Sequence, residues 1–190
     1  MIIGISQRID NYSDRKEFRD SVDHSLLNWV KLAGFEPLLV PNIFFNDNGL
    51  GENDLLCWLN NFNIGGLLIS GGNDIGLAKK RDYTEICLLN WAKEKLLPVL
   101  GICRGMQLMG VHSGSKLKRI NGHVKQNHHL IIASKDDLWP KNVNSFHNYA
   151  LESVPEGWKL TASAPCGNIE AIVHNHLRWE GWMWHPERKA

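Results

Sequence analysis

The sequence has few cysteines and no bias toward charge of either sign. Its four cysteines, Cys57, Cys87, Cys103 and Cys166, are scattered and form no C-x-x-C pair, which excludes a disulfide scaffold and a thioredoxin-like site. The net charge of +1, from 21 basic and 20 acidic residues, marks no surface for nucleic acid or anionic lipid. No apolar run approaches the ~20 residues of a membrane span, and the N-terminus lacks the features of a signal peptide. We therefore expect a cytoplasmic protein without nucleic-acid or membrane partners.

The order of elements along the chain predicts an α/β fold. Apolar residues make up 43% of the 190 residues and charged residues 22%, a balance typical of a single globular domain over residues 1–190. In the first half, helices expected at 14–33, 54–61 and 82–95 alternate with strands expected at 2–5, 37–41, 65–72 and 97–103. This alternation predicts a mostly parallel sheet with helices on both faces. Short alternating segments at 128–134, 158–164, 169–174 and 179–184 predict additional antiparallel strands in the C-terminal half.

Cys103 lies in the segment Gly101-Ile102-Cys103-Arg104-Gly105, where a buried strand is expected to run straight into a helix. The G-x-nucleophile-x-G pattern is typical of a tight strand-to-helix turn that exposes a nucleophile. Because a helix N-terminus favours the thiolate form, we expect iodoacetamide to label Cys103 ahead of the other three cysteines. The alternative is a buried cysteine in a strand that happens to be flanked by glycines.

A second segment, Trp184-His185-Pro186-Glu187-Arg188, offers a base for such a nucleophile. The proline favours extended backbone at His185, and residues two apart on an extended chain point to the same side. His185 and Glu187 are therefore expected to converge, and a histidine oriented by a carboxylate is the base that a cysteine nucleophile needs. Taken alone, the same tripeptide is also common in surface turns.

A third segment, Ser70-Gly71-Gly72-Asn73-Asp74, is a glycine turn at the end of an expected parallel strand. Its backbone amides could bind a developing oxyanion. The alternative is an ordinary turn between a strand and a helix, which has the same sequence pattern.

Together the three segments resemble the class I glutamine amidotransferase-like superfamily, and within it the γ-glutamyl hydrolase (peptidase C26) branch. The resemblance extends through most of the chain, to Arg81-Asp82 with Glu85 and to the segments 98–107, 143–147 and 169–172. It implies a flavodoxin-like α/β fold. It also implies cysteine-dependent hydrolysis of a γ-glutamyl amide through a γ-glutamyl thioester, with no metal or cofactor. The short length is similar to that of stand-alone hydrolases in bacterial capsule gene sets.

The resemblance also implies roles for individual residues. Cys103 is the nucleophile, His185 the acid/base and Glu187 its orienting carboxylate, and the backbone N–H groups of Gly72 and Arg104 are the oxyanion donors. A further set is expected around the α-amino and α-carboxylate groups of the glutamyl moiety: Gly71, Asn73, Gln107, Asn144, Ser145 and His147. Trp184 departs from the family pattern, which usually has Gln before the histidine.

Two other functions stay open: a glutaminase subunit that passes ammonia to a partner synthetase, and an inert ligand-binding relative. The expected partner is a small-molecule γ-glutamyl substrate, and a homodimer is compatible with the sequence. Five cationic residues are candidates to meet a diphosphate: Arg8, Lys79, Lys80, Arg81 and Lys118. A basic run before a helix, such as residues 79–81, is more often simply solvated.

Histidine pairs at 128–129 and at 174 and 176 have spacing compatible with metal binding. No cysteine or carboxylate completes either pair. We therefore expect no metal site.

Overall fold

The computed structural model describes residues 1–133 and 139–188, and it divides into two compact units, Met1–Val99 and Leu100–Ala190. Both units combine helices with strands. The paired strands at the core of the first unit are parallel, whereas the second unit contains antiparallel strands. The predicted α/β class, with added antiparallel strands in the C-terminal half, is confirmed. Within the described residues, no helix is both long and apolar enough to cross a bilayer.

The first unit is built around three parallel strands in the order β4-β1-β5. Gly4 at the centre of β1 pairs with Leu38 on one side and Leu67 on the other. The strands of this unit are β1 Ile2–Ser6, β2 Arg8–Tyr12, β3 Glu17–Ser21, β4 Glu36–Val40 and β5 Ile64–Ile69, and its helices are α1 His24–Leu32, α2 Glu52–Leu59 and α3 Lys79–Glu94.

The second unit carries an antiparallel group in the order β14-β13-β12-β9 and two small ladders, β10-β8 and β11-β7. Strand β6, Val99–Ile102, leads directly into helix α4, Arg104–His112. The remaining strands are β7 Leu117–Arg119, β8 Val124–His129, β9 Ile131–Ile132, β10 Asn142–Phe146, β11 Tyr149–Leu151, β12 Trp158–Ser163, β13 Ile169–His174 and β14 Trp179–Trp182.

The helix predicted over 14–33 is wrong in its first half. A hairpin of β2 and β3 occupies residues 8–21, and α1 begins at His24, where the Asp23 side chain accepts the N–H of Ser25 at 2.9 Å. Phe18, expected on an apolar helix face, is 69% exposed on β3. A local cross-strand contact stabilises the hairpin instead, because the Arg19 guanidinium lies 4.9 Å from the centroid of the Tyr12 ring.

The other predicted elements are confirmed with small shifts. Helices expected at 54–61 and 82–95 begin earlier, at Glu52 and Lys79. The segment 169–174 is a strand with the expected bounds. The expected strand at 128–134 is divided between β8 and β9, and its last residue, Ser134, lies outside the described residues.

Candidate active site

Cys103 lies between β6 and α4 in a strained backbone conformation, with φ 52° and ψ −107°. Positive φ is uncommon for a residue with a side chain and is often found at functional sites. The Cys103 N–H donates to the carbonyl of Trp182 at 2.7 Å, which ties the turn to the end of β14. A Cβ on Gly101 would lie 2.7 Å from the backbone of Gly105 and Met106, so strand and helix approach closely only with glycine there. The predicted strand-to-helix turn is confirmed.

The environment of the Cys103 thiol favours its neutral form. Burial raises the pKa of Cys103 to about 12, with smaller raising effects from Glu187 and Glu170. A hydrogen bond from the Arg104 backbone and the charge of Arg188 act in the opposite direction and are outweighed. The thiolate that the helix N-terminus favours is therefore opposed by burial, because desolvation of the charged sulfur outweighs the helix-end donors.

His185 and Glu187 converge as predicted, although the backbone between them is not extended. The N–H of Arg188 donates to the His185 carbonyl at 3.1 Å, which closes a turn around Pro186. His185 Nδ1 lies 2.7 Å from Glu187 Oε1, and both side chains are almost completely buried. A carboxylate at this distance holds the hydrogen on Nδ1 of a neutral imidazole and leaves Nε2 as the basic nitrogen.

Asn144, predicted near the substrate, is the residue that holds this turn in place. Its side chain accepts the His185 N–H at 2.9 Å and donates to the carbonyls of His185 at 2.8 Å and Arg188 at 3.0 Å. The amide side chain therefore hydrogen-bonds both ends of the His185–Arg188 turn.

Three other predicted substrate residues of the second unit have partners within it. Gln107 donates from Nε2 to the carbonyl of Tyr149 at 2.9 Å, and the Ser145 hydroxyl donates to the carbonyl of His123 at 2.8 Å. His147 Nδ1 lies 3.0 Å from the carbonyl of Tyr149. All three side chains are buried, so these contacts help to set the local backbone.

The glycine turn of the first unit is fixed by a buried ion pair. Arg81 and Glu85 are completely buried, and the Arg81 guanidinium lies 2.9 Å from Glu85 Oε1. The same guanidinium donates to the carbonyl of Ser70 at 2.7 Å and to that of Gly71 at 2.9 Å. Arg81 is thus a structural residue of this turn and is not available for a diphosphate.

Gly72 and Asn73 complete the same turn. Gly72 has φ 130°, and a Cβ there would lie 2.6 Å from Arg81 Nη1, so the position needs glycine. The Asn73 side chain pairs with the backbone of Ile9. Its Oδ1 accepts the Ile9 N–H at 2.9 Å, and its Nδ2 donates to the Ile9 carbonyl at 2.8 Å.

A cavity of about 400 Å³ borders His185 within the second unit. Its walls combine indole rings with polar groups of the histidine turn: Trp139, Trp182, Trp184, Asn144 and Arg188. The Trp182 and Trp184 rings are stacked within 7° of parallel at 5.6 Å, and Trp139 meets both edge-on. Sequence analysis missed Trp139 and Arg188 as cavity residues. The signal available in the sequence was the two-residue spacing of Trp182 and Trp184 before His185, which places both rings on one side of the chain.

The fold and this site define a class I glutamine amidotransferase-like protein. The solved structures that it matches include a protein of the GMP synthase type from Thermoplasma acidophilum, with a TM-score of 0.72 and 18% identity over 100% of this chain and 85% of that one. A glutamine amidotransferase from Thermotoga maritima matches with a TM-score of 0.69 and 14% identity over 98% and 76%. At these identities the likeness concerns the fold, an α/β fold with a mostly parallel sheet.

The chain belongs to the peptidase C26 family, whose model matches residues 1–187. It is 32% identical to the γ-glutamyl-CDP-amidate hydrolase of Campylobacter jejuni, over 100% of this chain and 91% of that protein. It is 29% identical to a glutamine-hydrolysing GMP synthase subunit of Methanocaldococcus jannaschii, over 86% and 81%. These likenesses support a hydrolase that acts on a C–N bond, in amide hydrolysis of the glutamine amidotransferase type.

Proposed function

We propose that this protein is a stand-alone cysteine hydrolase that releases glutamate from a γ-glutamyl amide with a nucleotide-bearing amine, such as a γ-glutamyl-CDP-amidate of capsule biosynthesis. The observation that carries the proposal is the aromatic cavity beside the His185–Glu187 pair. The full-length likeness to the Campylobacter hydrolase supports the same substrate class.

In the proposed reaction, the Cys103 sulfur attacks the γ-carbonyl carbon while His185 takes the thiol proton. A thiol with a pKa of about 12 is almost entirely neutral near pH 7, so the base acts during attack and does not maintain a thiolate beforehand. The tetrahedral oxyanion collapses, the C–N bond breaks, and His185 gives its proton to the departing nitrogen. Water, deprotonated by His185, then hydrolyses the γ-glutamyl thioester and returns the free thiol.

Glu187 is the proposed orienting group for His185 through its 2.7 Å contact with Nδ1. The N–H of Arg104, at the start of α4, is one proposed oxyanion donor. The N–H of Gly72, in the other unit, remains a prediction. The roles of Gly71, Asn73, Gln107, Ser145 and His147 toward the glutamyl group also remain predictions. Asn144 is better described as a positioning residue because its amide contacts the His185 turn.

The cavity favours a bulky leaving group. His185 must protonate the departing nitrogen, so the leaving group lies next to His185, and the cavity borders that residue. A volume of about 400 Å³ lies within the range of small-molecule sites, roughly 300–1,000 Å³. Indole faces suit a flat base, and Arg188 brings positive charge toward a phosphate. Ammonia, the leaving group of a glutaminase, needs none of this space.

A glutaminase that serves a synthetase is the alternative, and the likeness to the Methanocaldococcus GMP synthase protein favours it. The two functions differ in substrate and in dependence on a partner. Such a glutaminase prefers free glutamine and reaches full rate with its synthetase, whereas the proposed hydrolase acts alone on substituted γ-glutamyl amides.

The test is a mass-spectrometric screen of the purified chain with glutamine, simple γ-glutamyl amines and γ-glutamyl phosphoramidates of nucleoside diphosphates. We expect glutamate release by the isolated protein, fastest from the cytidine nucleotide substrate. Hydroxylamine should trap the γ-glutamyl thioester as the hydroxamate. Cys103→Ala should lose both products, whereas Cys57→Ala, which changes an exposed thiol, should retain them. A preference for glutamine or full activity of Cys103→Ala would contradict the proposal.

A further inference from the structure

Four side chains from distant parts of the sequence meet in the interior of the second unit. His123 precedes β8, His128 lies on β8, His147 lies between β10 and β11, and Glu170 lies on β13. Glu170 is completely buried, and His123 and His147 are at most 6% exposed. One ligand-type atom from each of His123, His147 and Glu170 lies within 4.8 Å of the others.

The three distances from Glu170 Oε1 to the histidines match the edge length of a metal tetrahedron. Glu170 Oε1 lies 3.4 Å from His128 Nε2 and 3.6 Å from both His123 Nδ1 and His147 Nε2. For metal–ligand bonds of about 2.0–2.2 Å, tetrahedral geometry places neighbouring ligand atoms about 3.3–3.6 Å apart. A cation therefore fits beside Glu170 and between His123 and His147, whereas His128 lies outside the group whose ligand atoms are all within 4.8 Å of one another.

Most of the polar atoms that face one another in the cluster have no hydrogen-bond partner, the exception being His123 Nδ1, which lies 3.3 Å from the Ser145 hydroxyl. Both oxygens of Glu170 and the Nε2 atoms of His128 and His147 are buried and form no hydrogen bond with the described residues. A buried carboxylate needs a compensating positive charge. A bound cation would supply it, and without a cation a protonated histidine within 3.4–3.6 Å of Oε1 supplies it instead.

The outer hydrogen bonds of His147 and His128 direct lone pairs toward Glu170. Nδ1 of His147 lies 3.0 Å from the carbonyl of Tyr149, and Nδ1 of His128 lies 3.0 Å from the carbonyl of His129. A carbonyl only accepts, so each Nδ1 carries the hydrogen and, in the neutral ring, each Nε2 presents a lone pair to Glu170. His123 differs, because its Nε2 lies 3.2 Å from Cys166 Sγ and 3.3 Å from the Asn168 amide nitrogen, whereas Nδ1 lies 3.3 Å from the Ser145 hydroxyl and 3.6 Å from the carboxylate. The amide donor at Nε2 leaves the hydrogen on Nδ1, so a metal bound at Nδ1 would have to displace that hydrogen to Nε2. Metal-binding histidines are typically held by such outer contacts.

We propose that His123, His147 and Glu170 bind a divalent transition metal, with His128 as the fourth ligand. Imidazole nitrogens with one carboxylate select zinc and its neighbours over magnesium or calcium. Structural zinc sites hold four protein ligands, and His128, which is partly exposed, would move toward the ion to complete the set. The bound ion would connect β8 and the segment before it to β13 and to the segment between β10 and β11. The expectation of no metal followed from adjacent histidine pairs, whereas this set joins residues up to 47 positions apart.

The experiment uses the untagged full chain, with metal content measured by inductively coupled plasma mass spectrometry after purification without chelators. We expect about one zinc per chain. After chelator treatment, Zn²⁺ should raise the thermal midpoint because it binds the folded state. Co²⁺, as a spectroscopic probe, should give the visible absorption of a tetrahedral site.

His147→Gln and His128→Gln should each weaken zinc binding by at least about 100-fold. Replacing a residue that only hydrogen-bonds to a metal ligand typically weakens binding about 10–100-fold, so a larger loss indicates a direct ligand. The control is His129→Gln, an exposed neighbour of His128, which should bind as the unaltered protein does. The Co²⁺ measurement on the unaltered chain needs no variant and so does not depend on how the variants fold. Absence of bound metal together with no response to Zn²⁺ or Co²⁺ would overturn the proposal. So would equal zinc affinity in His128→Gln and His129→Gln.

Discussion

The side chain of Asn144 hydrogen-bonds both backbone polar groups of His185, accepting from its N–H at 2.9 Å and donating to its carbonyl at 2.8 Å. A third bond reaches the carbonyl of Arg188 at 3.0 Å. One amide on β10 thereby fixes the turn that carries the proposed acid/base and its carboxylate.

Replacing Asn144 should impair turnover more than binding. Asn144→Ala removes these contacts and leaves buried backbone groups unpaired, which costs about 1–3 kcal/mol of stability. We expect kcat to fall about 10–100-fold with a smaller change in KM, since a misplaced base affects the reacting state. Steady-state kinetics with urea unfolding measures both effects. Asn175→Ala, at an exposed position of the same unit, is the control, and an equal loss of kcat there would contradict the positioning role.

Replacing Glu187 with its amide tests the orientation of His185. Glu187→Gln keeps the shape but can present a hydrogen-bond donor where Oε1 now lies 2.7 Å from Nδ1. Turnover should fall about 10⁴-fold, the scale of the corresponding change in a serine protease triad. The measurement is kcat on a γ-glutamyl amide, with circular dichroism to check the fold. Activity within threefold of the unaltered enzyme would show that Glu187 does not orient the base.

Alkylation should follow exposure and not the helix N-terminus. Cys57 and Cys166 are exposed, whereas burial raises the pKa of both Cys87 and Cys103 to about 12. A raised pKa lowers the thiolate fraction at neutral pH, and each pH unit below that pKa changes the fraction about tenfold. We expect iodoacetamide to modify Cys57 first at pH 7 and Cys103 only slowly, with the Cys103 rate rising toward pH 10. Peptide mass spectrometry over time gives the order, and Cys103 labelled first at pH 7 would contradict this expectation.

The buried Arg81–Glu85 pair should contribute to stability through the glycine turn. Arg81→Met removes the donors to the Ser70 and Gly71 carbonyls and leaves the buried Glu85 carboxylate without its guanidinium. We expect the free energy of unfolding to fall by about 3–5 kcal/mol, as for a broken buried pair. Urea denaturation measures the loss. Lys93→Met, at an exposed position of the same helix, should stay within about 0.5 kcal/mol. Equal stability of the two variants would show that Arg81 is dispensable.

The aromatic wall should affect nucleotide substrates and not simple ones. Trp182 is partly exposed and stacks on Trp184 at the cavity beside His185. Trp182→Leu should raise KM for a cytidine nucleotide substrate about tenfold, because stacking of a base on an aromatic ring contributes about 1–3 kcal/mol. KM for a simple γ-glutamyl amine should change less than twofold. An equal rise in KM for the nucleotide substrate and for the simple amine would show that the nucleotide does not bind at Trp182.

The features that could be read from the sequence were local ones. The glycines on either side of Cys103 predicted the strand-to-helix turn, and close packing at Gly101 excludes a Cβ there. The two-residue spacing predicted that His185 and Glu187 meet, although a turn and not an extended strand brings them together. The apolar spacing that included Phe18 predicted a helix where the structure has a hairpin, since periodicity alone cannot report cross-strand contacts such as Arg19 on Tyr12.

Features that depend on long-range contacts could not be predicted. The Asn144 contacts join residues 41 positions apart, and the cluster around Glu170 joins four segments of the second unit. The pKa of Cys103 also depends on burial by the whole fold, which no local pattern contains.

The three indole rings at the cavity beside His185 give this unit a built-in optical signal. Trp139, Trp182 and Trp184 lie 5.4–5.6 Å apart in stacked and edge-on pairs. A molecule entering that space contacts the rings that emit, so its arrival should alter tryptophan fluorescence without any attached dye. Candidate substrates can then be ranked by simple titration of a Cys103→Ala protein, before any turnover assay is available.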